Sequence, residues 1–286
     1  MKSHADDLAR ELRLWLDLTD SDDMVKEQAR RFLLSLASAM DTKPSGSTDL
    51  RPPRVPPTGQ VAKGDGSQLT SLALIRTRFS VSHLPYESHV EAEARLAAAL
   101  VLLLQETFGV DKSIFVATPH RIQRAAVRQA LKLSGQATAQ GPAPDGEQDE
   151  MDNLTDLMEG LNVSHNNLRV DTVERLQGTP LFFLSFSLLS HYSLIATLIG
   201  AEASFVIFLL SHTHTQSLSS HIGFLLTRRR LNVGISRAKS LCIVISSRGV
   251  LNPGIEVLAN PDTRDGLEFL RAYEDRAWSG DIDLNV

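Results

Sequence analysis

The chain has 286 residues, of which 42% are apolar and 22% charged, and its net charge is −5. This composition is ordinary for a globular protein with one large domain or two small ones. The negative net charge excludes a basic field over the whole molecule, so any nucleic-acid contact must come from a local basic patch.

The N-terminal segment is acidic and lacks the apolar stretch of a secretory signal. The one cysteine, Cys242, excludes an internal disulfide and lies in the apolar run LCIVI, where a buried structural thiol is expected. A chain of this kind is expected in the nucleus or cytoplasm and is not expected to be secreted.

Residues 1–41 show apolar side chains at helical spacing and are predicted to form two helices, separated by the polar break 19–23. They form either a helical hairpin packed on the rest of the chain or a surface for a protein partner. Residues 42–68 are rich in proline and glycine and are predicted to be a linker.

Strands alternate with helices over residues 69–248. The predicted strands are 69–81, 113–118, 168–172, 204–210 and 240–247, and the predicted helices are 87–109, 119–135 and 223–239. This alternation indicates right-handed crossovers and an α/β fold, with a parallel sheet covered by helices on both faces. The strands that end at Thr118, Thr172 and Leu210 are expected to lie side by side or nearly so. Residues 249–286 are predicted to be a tail with one helix, 264–278.

Three segments carry polar groups near predicted strand ends, where sheets of this kind bind ligands. They are VATPHRIQR, VDTVERLQG and RRRLNVGISRAKS. The third is predicted as one helix that carries Arg230, Arg237 and Lys239. Arginines on a partly buried helix favour a phosphate partner, since the guanidinium group binds phosphate through two parallel hydrogen bonds. A solvated basic face is the alternative.

These segments resemble three motifs of superfamily 1 helicases: TPHRIQ is similar to motif IV (TPYxxQ), DTVERLQG to motif V (DTV[DE]x[FL]QGxE), and RRLNVGISRAK to motif VI (RRLNVAxTRAK). The resemblance covers about residues 85–248. It points to the C-terminal RecA-like domain of the group that contains the nonsense-mediated decay helicase, senataxin and the Okazaki-fragment nuclease-helicase. Gly234 and Ser236 depart from the usual alanine and threonine, and His120 replaces a tyrosine.

The resemblance implies roles for nine residues. Arg237 would be the catalytic arginine that reaches the γ-phosphate of ATP, and Arg230 would support it at the same surface. The nucleotide-binding residues would be Gln177, Gly178, Glu202 and Lys239. The contacts to RNA or DNA would come from Thr118, Gln123 and Thr172. No metal ligand is assigned.

Motif V is interrupted by an apolar segment. Removal of residues 179–200 restores DTVERLQGAEASF, in which Glu202 follows Gly178 by two residues. Glycine stands at both junctions, and the segment is a whole number of codons long. We therefore interpret it as a retained, translated intron. The alternatives are a natural insertion and a membrane span, and the span is disfavoured because the segment lacks basic flanks and divides a phosphate site.

The chain contains no G-x-x-x-x-G-K-[ST] loop and no apolar strand that ends in Asp-Glu. In the motors it resembles, an N-terminal RecA-like domain supplies these elements. ATP and Mg²⁺ are therefore expected only if such a domain completes the site, and the isolated chain is predicted to be inactive, as a truncated helicase. The parent protein would bind single-stranded RNA or DNA and no membrane. The alternatives are a non-catalytic binding module and an inactive gene remnant.

Overall fold

The strands of the protein form one sheet in which every neighbouring pair is parallel. The computed structural model describes residues 8–12, 23–40, 49–54, 71–79, 86–134, 167–173, 202–210 and 218–284. The strand order is β3-β2-β4-β5-β1-β6. The strands are β1 (Ser71–Phe79), β2 (Ile114–Thr118), β3 (Leu168–Thr172), β4 (Ala203–Leu209), β5 (Ala238–Ser247) and β6 (Trp278–Leu284).

Helices cover both faces of this sheet. One face packs against α1 (Met24–Met40), α2 (Tyr86–Phe108) and α3 (Arg121–Leu133). The other face packs against α4 (Leu218–Leu225), α5 (Arg228–Ile235), α6 (Arg248–Leu251), α7 (Ile255–Leu258) and α8 (Pro261–Glu274).

Side chains along each buried strand alternate between the two helix layers, as the period of a strand requires. In β5, Leu241 and Ile243 face the α1–α3 layer, whereas Cys242 and Val244 face the α4–α8 layer. Both layers therefore exclude water from the central strands, which explains why β2, β4 and most of β5 are apolar runs.

The predicted fold class is confirmed. The strand pairs β3–β2 and β2–β4 place Thr118 beside Thr172 and Ala117 beside Phe208. The three strands predicted to be neighbours are therefore adjacent. Cys242 is fully buried, and burial raises the pKa of its thiol to about 12, so the thiol is a structural group as expected.

Some predicted boundaries were wrong, among them the C-terminal helix, which is Pro261–Glu274 and not 264–278. The predicted helix 223–239 is two helices, α4 and α5, and ends at Ile235, so Arg237 lies in a turn and Lys239 lies on β5. The predicted helix start at Pro119 is also displaced, since His120 is the N-cap of α3.

The C-terminal segment adds a strand that the sequence did not predict. After α8, β6 pairs with β1 at the edge of the sheet. Residues 49–54 fall in the predicted linker, yet Arg51 forms an antiparallel bridge with Ser279 on the outer side of β6. The Arg51 guanidinium also lies 2.7 Å from the Asp281 carboxylate. These contacts cover part of an edge strand that would otherwise present unpaired amide groups.

The N-terminal helices pack on the main domain, as one of the two predicted readings required. Leu8 and Leu12 lie in the core, and α1 buries Phe32, Leu33 and Leu36 in the same cluster. Within the described ranges, no helix combines the length and apolar character that a membrane crossing requires. The apolar segment 179–200 lies outside those ranges.

Gly234 explains one departure from motif VI and provides a test of the packing. A Cβ atom at this position would lie 2.9 Å from the ring of Phe208 on β4. We expect Gly234→Ala to lower the free energy of unfolding by about 1–3 kcal/mol, because the ring must move in a closely packed layer. Urea titration measures the loss.

Gly254→Ala is the matched control. No atom lies within 4 Å of its added Cβ atom, and its φ of −65° suits alanine. Its unfolding midpoint should therefore stay near that of the unmodified protein. Equal midpoints for Gly234→Ala and Gly254→Ala would contradict the packing of α5 on Phe208.

Candidate functional site

The carboxyl ends of β2 and β4 have the topology at which open parallel sheets form a ligand-binding crevice. The helix after β2, α3, covers one face of the sheet, whereas α4, after β4, covers the other. Because β2 and β4 are neighbours, their following segments diverge at this point. Such a divergence is where open parallel sheets bind ligands.

The three predicted nucleic-acid contacts lie near this crevice, but their side chains are buried. The exposed fraction is 0% for Thr118, 1% for Gln123 and 7% for Thr172. The Thr118 hydroxyl lies 3.3 Å from the carbonyl oxygen of His120 and 3.4 Å from that of Asp171. Thr118 therefore links the turn that follows β2 to the end of β3.

A buried carboxylate joins motifs IV and V, and the sequence analysis missed it. The Asp171 carboxylate lies 3.3 Å from the Arg124 guanidinium on α3 and 3.4 Å from that of Arg169. It also accepts a 2.8 Å hydrogen bond from the Thr172 amide. The charge of Asp171 is thus compensated on several sides, as a buried carboxylate requires. The one signal for this pair in the sequence was an aspartate next to Thr172.

A second set of polar residues lies at the opposite ends of the strands, where β4 and β5 begin. The Arg237 carbonyl accepts a 2.9 Å hydrogen bond from the amide of Ala203, the first residue of β4. Glu202 precedes that residue, and its carboxylate lies 3.3 Å from the Lys239 ammonium group. Glu202, Arg237 and Lys239 therefore meet at the amino ends of two adjacent strands.

Arg230 occupies a different position. Its guanidinium carbon lies 3.6 Å from the ring centroid of Phe224, and its Nη1 atom donates to the Phe224 carbonyl at 3.1 Å and to the Thr227 hydroxyl at 3.2 Å. The Phe224 ring also stacks on the His120 ring, with centroids 5.1 Å apart and a 16° interplanar angle. Arg230 therefore belongs to the carboxyl-end region, not to the group that contains Arg237.

The candidate residues thus divide into two groups. Thr118, Gln123, Thr172 and Arg230 lie toward the carboxyl ends of β2 and β3, and Glu202, Arg237 and Lys239 lie at the amino ends of β4 and β5. Gln177 and Gly178 lie outside the described residues. Sequence reasoning also missed Phe224, which carried no motif signal.

The amino-end group combines two cationic side chains with one carboxylate. Arg237 is half-buried, whereas Lys239 and Glu202 retain side-chain exposures of 52% and 56%. A guanidinium and an ammonium group suit phosphate, and a carboxylate can accept hydrogen bonds from sugar hydroxyls. These residues can contribute to binding a nucleotide, but the sequence contains no phosphate-binding loop to hold a triphosphate.

Comparison with known proteins gives two similarities. Residues 193–249 match the AAA domain family. The chain is also 24% identical, over 198 residues, to the Saccharomyces cerevisiae protein named "Putative ATP-dependent RNA helicase ECM32". That alignment covers 69% of this chain and 16% of the yeast protein, so the chain corresponds to a small part of its relative.

The parallel sheet and both similarities support the same class of protein. The chain contains a helicase-like domain with the sheet of a P-loop NTPase-type fold. The matched span 193–249 includes motif VI and the strands β4 and β5 that flank it.

The Asp171 carboxylate allows a direct test of the link between motifs IV and V. In Asp171→Asn, Arg124 keeps its side chain, which is 12% exposed, but its contact with Asp171 loses the negative charge. We expect the free energy of unfolding to fall by about 1–3 kcal/mol, because a charged hydrogen-bond acceptor is lost from a poorly solvated position. Chemical denaturation measures this loss.

Asp111→Asn is the control, since Asp111 is exposed. The double variant Asp171→Asn/Arg124→Gln should recover part of the stability, because it removes both charges. An Asp171→Asn variant as stable as the control would show that the pair does not stabilise the fold.

Proposed function

We propose that the chain is the C-terminal motor half of an ATP-dependent RNA or DNA helicase. The observation that carries this proposal is the meeting of Arg237, Glu202 and Lys239 at one edge of a parallel sheet, since residues from two separate motifs converge there. The named activity of the yeast relative supports the same class of reaction.

In the proposed mechanism, Arg237 binds the γ-phosphate of an ATP molecule held mainly by another RecA-like domain. Its planar guanidinium group would stabilise the negative charge that develops during phosphoryl transfer. Lys239 would add positive charge near the same phosphates, and Glu202 would bind the nucleotide through its carboxylate. Gln177 and Gly178 would connect this site with the nucleic acid.

The nucleic acid is proposed to run across the carboxyl ends of the strands. Thr118, Gln123 and Thr172 would contact its backbone after their turns rearrange, because their side chains are buried in the present arrangement. Arg228 and Arg229, at the exposed start of α5, would supply the phosphate contacts on which affinity depends. Single-stranded RNA or DNA is the proposed partner.

Phosphate transfer is tested with a complete motor. The chain alone should show no nucleic-acid-stimulated ATP hydrolysis, since it lacks a phosphate-binding loop. After fusion to a matching P-loop domain, Arg237→Lys should lower ATP turnover about 10²–10³-fold, because lysine keeps the charge but loses the planar fork. Thermal unfolding should remain near that of the unmodified fusion protein. Full turnover in both Arg237→Lys and Arg237→Ala would remove Arg237 from the mechanism.

Nucleic-acid binding is tested with the chain itself. A fluorescent single-stranded oligonucleotide should bind weakly, and its affinity should fall steeply with salt. Arg228→Gln and Arg229→Gln should each reduce the slope of log affinity against log salt by about 0.7, the value for one single-strand phosphate contact. Arg31→Gln, on an exposed side chain of α1 across the sheet, should leave the slope unchanged. Equal slopes for all three variants would exclude α5 from the interface.

A further inference from the structure

Phe224 is the centre of a three-residue stack between two motifs. His120, from motif IV, lies nearly parallel to the Phe224 ring, and the guanidinium of Arg230, from motif VI, lies over that ring at 3.6 Å. The ring is near the end of α4, and the stack bridges segments more than 100 residues apart in the sequence. Close aromatic and cation–π contacts of this kind favour one relative orientation of the groups.

The Phe224 ring is already engaged by two groups of the same chain. The His120 ring stacks on it, and the Arg230 guanidinium lies over it. This arrangement favours an internal connection at Phe224 over a platform for base stacking, which requires an accessible ring.

Arg230 also fixes the junction between α4 and α5. Its guanidinium and the Thr227 hydroxyl both contact the Phe224 carbonyl, and that hydroxyl also lies 3.3 Å from the Gly223 carbonyl. These are carbonyls of the last turn of α4, which have no partner within their own helix. A cation at this end of a helix is further favoured by the helix dipole.

The helix α5 connects this junction with the amino ends of β4 and β5. It has eight residues and spans about 12 Å. Arg230 lies in its first turn, and Arg237 follows its end, where it is hydrogen-bonded to the start of β4. The first turn of α5 and the turn that carries Arg237 are therefore joined by one short helix.

We propose that Phe224 and Arg230 are positioning residues that couple the motif IV turn at His120 to the turn at Arg237. His120 lies at the carboxyl ends of the strands and Arg237 at their amino ends. The stack would therefore join the region proposed to bind nucleic acid to the region proposed to face the nucleotide. The coupling is a property of the folded chain alone. It is therefore testable even if the proposed helicase activity fails.

The first test is a double-mutant cycle between His120→Ala and Arg230→Met, measured by urea unfolding. The two substitutions should couple by about three- to tenfold in the unfolding equilibrium constant, a range typical of residues that act through shared contacts. The cycle is then repeated in a Phe224→Leu background, where the coupling should disappear. Coupling that persists there reflects a direct contact and overturns the role of Phe224, and the absence of coupling in the unmodified background overturns the proposal.

The second test is spectroscopic and distinguishes coupling from general destabilisation. The ¹⁵N–¹H resonance of Arg237 Nε, at the far end of α5, should shift in His120→Ala and in Phe224→Leu. Phe269→Leu is the matched control, since Phe269 is a partly buried phenylalanine packed against the same cluster, and it should leave the resonance in place. If Phe224→Leu does not fold, Phe224→Tyr, which keeps the ring, should fold with the Arg237 resonance unshifted. An Arg237 resonance unmoved by His120→Ala, or moved equally by Phe269→Leu, would overturn the coupling.

Discussion

The parallel pairing of β4 with β2 and β5 is the constraint on which the arrangement of the site depends. All three strands run in the same direction. Every segment that leaves them therefore starts at their carboxyl ends, and every segment that enters them arrives at their amino ends. The motif IV turn follows β2, whereas Arg237 immediately precedes β5. Chain direction alone therefore places the motif IV turn at the carboxyl ends of the strands and Arg237 at their amino ends.

Most of the fold was predictable because its strands are buried on both faces. The run IFVAT is apolar and bounded by polar residues, so hydrophobicity located β2, whereas β3, LRVDT, is an edge strand that carries Arg169 and Asp171. The strand β6, WSGDIDL, escaped prediction because it contains two aspartates and Gly280. A residue from a distant segment packs against β6: a Cβ atom on Gly280 would lie 2.7 Å from the Leu50 side chain. The reason for a glycine there is a contact with a segment some 230 residues earlier.

The sequence identified most residues of the candidate site, but it did not predict that they divide into two separate groups. The predicted helix 223–239 reads as one amphipathic run, and Thr227, the N-cap of α5, is the residue that could have marked the break after α4. The helix α8 comes close to this junction, where a Cβ atom on Gly266 would lie 1.3 Å from the Leu226 carbonyl oxygen. The backbone of α8 thus contacts the junction directly. Arg230 lies on α5, whereas Arg237 lies in the turn that follows the end of α5 at Ile235, so the two arginines have different neighbours.

This contact also determines how the junction can move. Because Gly266 brings the α8 backbone against Leu226, the α4–α5 junction cannot shift toward α8 without displacing that helix from the apolar cluster it shares with β5. On its other side the junction is held by the stack of Arg230 on Phe224 and His120. The helix α5 also packs on β4, where Gly234 lies against the Phe208 ring. These contacts together hold α5 in place, and the stack is the one among them that joins α5 to His120.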